Sequence, residues 1–507
     1  MVGFVLLAGA RFALLLSHGV LLVVIKPRRG FLFDPPMSSK SAPRRLRCMG
    51  STPPIESVLV ANRGEIARRV IRTAKRLGIR AIAVYSEADV DLPFVREADE
   101  AVCIGPAAPA DSYRNVEAVL AAAAKTGAAA IHPGYGFLSE NSAFARAVVQ
   151  AGMIWIGPSP TAIDQMGDKI NARNLMEAAG VPVSRGTKSP VADLDAAIAA
   201  SVDIGFPIMV KASAGGGGMG MAVAADADAL AAEFEKVKAF AERTFGDGSI
   251  LLERYFPRVR HVEVQILGLA DGTVVALGER DCSVQRRNQK VAEETPSPGV
   301  SPQLRAEMLA AAVKAGEAVD YQGAGTVECL VDVESGEFVF LEMNTRLQVE
   351  HPITEAVTGI DLVEQQLRIA AGLEPTFDPK TIVIHGHALE LRINAEDPIR
   401  FLPGPGAVLT WKEPNGEGVR VDSGYGAGTV VTSNYDSLMA KLIVHAPTRE
   451  EALEQMRDAV KEFIIEGPKS NLAFFDELLN FEDFVTGAYD TGIVGRIVAA
   501  RPPKQKS

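Results

Sequence analysis

Cysteine is scarce in this chain. Cys48, Cys103, Cys282 and Cys329 are scattered with no CxxC pair, which argues against a disulfide framework or a thiolate zinc site and for a reducing compartment. Basic charge is short as well: 52 Lys+Arg against 63 Asp+Glu leave a net charge of -11, the wrong balance for a nucleic-acid partner. Two familiar nucleotide-loop patterns are missing where they would be sought. The first strand-to-helix turn is not GxGxxG, and the glycine-rich loop further on is not GxxxxGK[ST], so neither that dinucleotide site nor a P-loop is indicated. The apolar run Phe12 to Ile25 is short for a membrane span and is bounded by Arg11 and by Lys26-Pro27-Arg28-Arg29; membrane contact is not expected.

What is present is an ordinary globular balance, 47% hydrophobic and 23% charged over 507 residues, enough for about three domains. Residues 1–48 stand apart. They hold eight Lys/Arg and one Asp, a net of +7, which leaves -18 for the remainder. They read as a targeting segment, an anchor, or a leader upstream of a true start at Met49, and the last is the expectation adopted. Cytoplasmic localisation follows, with an organellar setting if the segment is a transit peptide.

The most informative stretch is Glu342-Met343-Asn344-Thr345-Arg346-Leu347-Gln348-Val349-Glu350-His351-Pro352, after the strand-like Phe338 to Leu341. Along an extended backbone Glu342, Asn344, Arg346, Gln348 and Glu350 would share one face. Folding does not require such a face, because buried charge is costly unless paired or metal-bound. Glu342 and Asn344 suit Mg²⁺, which takes hard oxygen ligands and nucleotide phosphates. Glu328 lies in a second strand-like run, and the turn Glu334-Ser335-Gly336-Glu337 predicts a hairpin that sets it across from Glu342. Arg346 offers a planar fork for a small oxyanion, with Glu350 as a base beside it.

Elsewhere, Ser57 to Ala61, a helix from Asn62 to about Leu77 and Ile79 to Tyr85 predict a βαβ unit of parallel type. Ile131 to Asn141 makes a tight loop around Tyr135 at a strand's carboxyl end, where α/β sheets bind ligands. Asp168 opens a helix at Lys169, itself a solvated lysine on local grounds. An apolar strand ends in Lys211 and is followed by Gly215, Gly216, Gly217, Gly218 and Gly220, a loop able to lie against phosphates. Ile250 to Phe256 and the alternating Arg260 to Gln265 read as strands. Glu279 to Lys290 is charged enough for a solvated face, and Glu390 with Arg392 could be a surface cross-strand pair.

Taken together these motifs resemble the biotin carboxylases of the ATP-grasp superfamily: Asn62 to Ala67, Ile131 to Asn141, Lys211 to Gly220, Gln285 to Lys290, Glu342 to Pro352 and Arg392 to Asp397 each look like a family signature. The resemblance runs from about Ile55 to Ile497. It implies an α/β (α+β) ATP-grasp fold with a Rossmann-like N-terminal domain (53–163), an ATP-grasp domain (164–384) with a mobile lid near 183–255, and a C-terminal domain (385–497). It implies ATP, Mg²⁺ or Mn²⁺, bicarbonate and carrier-bound biotin. ATP would meet Lys169, Lys211, Gly215, Gly216, Gly217, Gly218, Glu253, Arg254, Phe256, His261 and Gln285; metal would sit on Glu328, Glu342 and Asn344. Lys290, Arg346 and Gln348 would seat bicarbonate, Glu350 would deprotonate it, and Arg392 and Tyr135 would face biotin. Two positions depart from relatives: Met219 stands where many have Lys or Arg, and Asn288 where bacterial ones commonly have His. No Met-Lys-Met stretch occurs, so the resemblance places biotin on a separate carrier protein and the transferase on another chain, within an acyl-CoA carboxylase of acetyl-CoA or propionyl-CoA type that feeds fatty acid biosynthesis. Relatives of this kind are commonly homodimers. A carbamoyl-phosphate synthetase-like ligase and a catalytically silent scaffold are the alternatives.

Overall fold

A computed structural model describes residues 55–213 and 219–502, together with a short antiparallel pair, Leu15–Ser17 with Val20–Leu22, which belongs to a first unit separate from the rest. The leader expectation otherwise lies outside the described residues, as do Gly215, Gly216, Gly217 and Gly218. Among the described residues no helix is long and apolar enough to cross a membrane.

The second unit begins as an α/β layer. Ser57–Val60 is flanked by Arg80–Tyr85 and Ala130–His132 in a five-stranded parallel sheet, with Glu100–Cys103 and Ile154–Trp155 at its edges. The Ser57–Val60 strand is buried on both faces, as a short continuous apolar run suggests. Helix Gly64–Arg76 crosses between the first two strands. Asn62 then ties the turn to the Tyr135 loop, donating to the carbonyls of Pro133 and Tyr135 at 2.7 Å each. Gly134 permits this approach, because a Cβ there would stand 2.8 Å from Asn62 Nδ2.

A large antiparallel sheet of eight strands carries most of the candidate site. Its order is Phe338–Asn344, Gly323–Asp332, Val259–Gly268, Val274–Arg286, Gln289–Thr295, His387–Asn394, Leu438–Ala446 and Val419–Ser423. The predicted central and C-terminal regions are therefore one continuous sheet, joined where Gln289–Thr295 pairs with His387–Asn394. The hairpin between Val274–Arg286 and Gln289–Thr295 turns through Arg287 and Asn288, both at positive φ, the geometry of a tight two-residue turn.

Three expectations are corrected here. Val259–Gly268 does not alternate buried and exposed residues; apart from Val259 it is buried throughout, because the sheet is covered on both faces. Glu279, Arg280, Asp281, Glu293 and Glu294 lie at 2% exposure or less, so the charged run is core strand rather than solvated face. The strand of the signature stretch ends at Asn344; residues 345–350 form a loop, and helix His351–Thr358 follows.

The stretch expected to be a lid, residues 183–255, holds a small sheet of its own. Ile250–Arg254, Ile208–Ala212 and Met221–Ala224 form a three-stranded antiparallel sheet, covered by helices Leu194–Ile204 and Ala227–Phe245, whose N-caps are Asp193 and Asp226. Its apolar residues pack in a separate cluster that includes Leu230, Phe234 and Leu252.

Candidate functional site

The hairpin register sets Glu328 directly opposite Glu342, and Thr326 opposite Asn344. Beyond the strand end the chain turns, yet its polar side chains still converge. Arg346 donates to Gln348 Oε1 at 2.8 Å, to Asn344 Oδ1 at 2.9 Å and to Glu140 Oε2 at 2.9 Å. Asn344 and Gln348 in turn donate to Glu328 Oε1 at 2.9 and 3.0 Å. These contacts fix the guanidinium plane, with both terminal nitrogens on amide oxygens and Nε on Glu140, so a planar oxyanion would take this fork by displacing one of them.

Next to it lies a buried ion cluster. Lys290 Nζ touches three carboxylates: Glu263 at 2.5 Å, Glu350 at 2.6 Å and Glu328 at 2.9 Å. Arg392 joins from the neighbouring strand, donating to Glu293 Oε1 at 2.6 Å and Glu350 Oε2 at 2.8 Å. Glu350 is fully buried between them. Burial alone would push its carboxyl up, but Lys290, Arg392 and Arg280 hold it well below the usual range. Burial likewise works against charge on Lys290, and the surrounding carboxylates overcome it and hold the ammonium. The Arg392 pair is thus no surface feature, contrary to that reading of the strand.

Glu342 behaves differently. Burial and the negative charge of Glu328 both raise its carboxyl, against Lys169. Two facing carboxylates under mutual repulsion are the donor set that a divalent cation relieves, and Asn344 adds an amide beside them, although its oxygen is taken by Arg346. The residues present therefore fit Mg²⁺. Among the described residues, the groupings of three possible ligands run through Glu263 instead, two carboxylates with His261 (Glu263 and Glu328) or with Cys282 (Glu263 and Glu350). Glu263 is already paired with the fully buried Arg280 at 2.6 Å.

The nucleotide candidates divide. Lys169 lines two cavities: one of 230 Å³ that also reaches Glu342 and Asn344, and one of 360 Å³ bounded by Lys211, Met219 and Glu253. Lys211 forms an ion pair with Glu253 across adjacent lid strands. Gln285 donates to His261 Nδ1 at 2.6 Å, and His261 Nε2 stands 2.9 Å from Glu328, linking these two residues to the Glu328 carboxylate. Arg254 donates instead to the Phe206 carbonyl, and neither it nor Phe256 lines the 360 Å³ cavity. A larger cavity of 480 Å³ runs along helix Gly64–Arg76, far from these groups in chemistry: its Arg68 and Arg69 are already paired with Glu97 and Glu355.

Tyr135 is half-buried and donates to Glu65. It lines a 150 Å³ cavity with Asn62, Gly136 and Asp436. Glu65 is also 3.1 Å from Lys441, the register partner of Arg392, so this loop connects to the ion cluster through buried charge.

Sequence reading missed Glu263, Arg280 and Glu140, and it placed at the surface Glu390, which is buried. Arg280 donates to Glu263, Gln265 and Thr354 at 2.6, 2.7 and 2.9 Å, a hub beneath Lys290. The available signal was Glu263 and Gln265 interleaved with Val262, Val264 and Ile266 in one strand.

Comparison with known proteins agrees with this arrangement. Residues 54–163 match the family described as biotin carboxylase, N-terminal domain, and residues 390–496 the biotin carboxylase C-terminal domain. Residues 168–376 match the carbamoyl-phosphate synthase L chain, ATP binding domain. Biotin carboxylase from Halalkalibacterium halodurans is 50% identical over 439 residues, 87% of this chain and 97% of that one. The crystal structure of a biotin carboxylase–beta-gamma-ATP complex from Campylobacter jejuni superposes with a TM-score of 0.82 at 43% identity, covering 87% of this chain and 99% of its own. The biotin carboxylase domain dimer of Hydrogenobacter thermophilus 2-oxoglutarate carboxylase, in complex with MgADP, ADP and bicarbonate, gives 0.81 at 42% identity over 88% and 99%. The two flanking matches decide against a carbamoyl-phosphate synthetase-like ligase, and the chain belongs to the biotin carboxylase family, ATP-dependent ligases that carboxylate biotin with bicarbonate.

Proposed function

We propose that the Lys290–Glu350–Arg392 cluster is the reacting centre of this ligase. The observation that carries the reading is the convergence of three distant segments on Glu350, whose carboxylate is held between Lys290 and Arg392. Bicarbonate is a poor electrophile, and phosphorylation by ATP gives its carbon a leaving group. Arg346, Gln348 and Lys290 seat the anion, and Glu350 takes its proton as it attacks the γ-phosphate. An anion bound at Lys290 also draws that cation's charge away from Glu350, which raises the basicity of the carboxylate. Carboxyphosphate then releases CO₂ and phosphate, the phosphate removes the N1′ proton of biotin, and Arg392 stabilises charge on the ureido oxygen. Tyr135 and its loop border the biotin side.

Lys169 and Lys211 hold phosphates, with Glu253, His261 and Gln285 on the nucleotide side. Gly215 to Gly218, Arg254 and Phe256 are assigned there by resemblance. Glu328, Glu342 and Asn344 would hold Mg²⁺, which when bound neutralises phosphate charge. Closure of residues 183–255 keeps water from the labile intermediate.

The partners are a biotin carboxyl carrier protein and a carboxyltransferase on other chains, with a homodimer of this chain in the cytoplasm. The Hydrogenobacter neighbour, a domain dimer from a 2-oxoglutarate carboxylase, supports dimerisation and widens the acceptor beyond acyl-CoA, since the transferase chooses it. One assay tests the whole reading: ATP cleavage by the isolated chain with bicarbonate, with and without free biotin. Cleavage that ignores both compounds overturns it.

A further inference from the structure

Three buried carboxylate oxygens lack any hydrogen-bond partner at a single place, Glu293 Oε2 and both oxygens of Glu390. The two residues are register partners on adjacent strands, so their side chains leave the same face with Cβ atoms about 5 Å apart. Both are buried, at 2% and 0% exposure. Among the described residues the cations around them are already committed, and His351, at the start of the helix packed on both strands, spends Nδ1 on the Gln348 carbonyl and leaves a buried, unpartnered Nε2. Arg392, on the strand of Glu390, holds Glu293 Oε1 and Glu350 Oε2. Lys290, on the strand of Glu293, holds Glu263, Glu328 and Glu350. Lys441, from the next strand, donates to the Val349 carbonyl and faces Glu65. The Cys282 thiol, from the strand on the other side, points at Glu350. No cation is left to separate two adjacent carboxylates, and a buried pair of that kind does not carry two charges.

We propose that Glu293 and Glu390 share one proton, with Glu390 as the acid that donates to Glu293 Oε2, and that this pair positions Arg392 for biotin. The proton satisfies the orphaned Oε2 and leaves Glu293 Oε1 anionic toward the guanidinium. Arg392 is then held by two carboxylates of different duty: Glu350, whose charge changes during the reaction, and Glu293, whose charge does not. The direction of the titrations agrees. Burial, aided by the Glu350 charge and opposed by Arg392, pushes Glu293 up to about 7. Burial pushes Glu390 well above the carboxylate range, with Lys441 opposing and Glu293 adding to the rise. Below neutrality Glu293 is protonated too and its grip on Arg392 weakens.

The proposal rests on the reading of Arg392 as the group that faces biotin. Its test uses the full chain with MgATP and free biotin, bicarbonate being held constant across pH. In the wild type, kcat for biotin carboxylation should rise through about pH 7, and infrared spectra at neutral pH should show a protonated buried carboxyl. E293Q should lose that limb and fall on the order of tenfold to a hundredfold at pH 8, while keeping biotin-independent, bicarbonate-dependent ATP cleavage. E390Q, whose amide N–H replaces the O–H donor, should stay within about threefold of wild type and lose the infrared band, whereas E390V should behave like E293Q. Equal damage from E390Q and E390V, an unmoved pH limb in E293Q, or no protonated carboxyl in the wild type would overturn the pair. A wild-type chain that cleaves no ATP with bicarbonate and biotin would instead overturn the underlying reading of the site.

Discussion

On the eight-stranded sheet Lys290 touches three carboxylates and its side chain is 11% exposed, whereas in the lid Lys211 touches one, Glu253, and is 27% exposed. The contrast runs through both regions. The sheet buries its charges and pairs them before any ligand arrives, at a desolvation cost that only dense pairing offsets. The proposed lid keeps its ionic groups near solvent and packs around its own apolar cluster, the packing that the closure proposed above requires. On the function proposed, the groups that meet the reacting atoms sit where geometry is fixed, and those that clamp the triphosphate sit where an opening would admit it.

The sharpest way to break this contrast is Glu350→Gln. It should lower bicarbonate-dependent ATP cleavage by about a hundredfold to ten-thousandfold, read as phosphate release; full activity would remove Glu350 as the base. Arg392→Ala should abolish most biotin carboxylation, roughly a hundredfold or more, while sparing part of the biotin-independent cleavage. The two losses separate in one assay run with and without biotin.

The buried charges should also appear in acid stability. Burial would raise the Glu294 carboxyl, but His387 and Arg449 hold it at about 2, with contacts of 2.7 Å to each. Because the folded value lies below the unfolded one, its contribution is present above about pH 4.5 and fades as pH falls toward 2. Glu294→Gln should therefore flatten the acid-unfolding curve over that window.

Smaller effects belong to the lid. Lys211→Met should raise KM for ATP about tenfold and change thermal stability little, since its ion pair with Glu253 is partly exposed. Met219, 55% exposed and on the wall of the 360 Å³ cavity beside Lys211, is the mildest case. Met219→Arg should tighten ATP binding by a few-fold at most, measured by calorimetry; an unchanged or weaker affinity would place the loop elsewhere.

Local chemistry made part of this legible in the sequence. The Glu334 to Glu337 turn was enough to align Glu328 with Glu342, and Asp168 announced the helix it caps. The burial of Glu263, Arg280 and Glu390 was not legible, because what makes a charged strand a core strand is its partner. Arg280 finds Glu263 seventeen residues away and Arg392 finds Glu293 ninety-nine away, distances over which composition carries no signal. The extended signature stretch failed for a related reason: the side chains converge, but through a loop whose turn after Asn344 depends on Glu140 accepting from the Thr345 amide and from Arg346.

The pairing of Gln289–Thr295 with His387–Asn394 limits how this chain can be cut or recombined. A chimera joined between residues 376 and 390 would follow the family borders, yet expressing either fragment alone would strip a ladder of backbone hydrogen bonds from the middle of a sheet. Each fragment would expose a raw strand edge, an invitation to aggregate, and swaps between relatives should exchange both strands together.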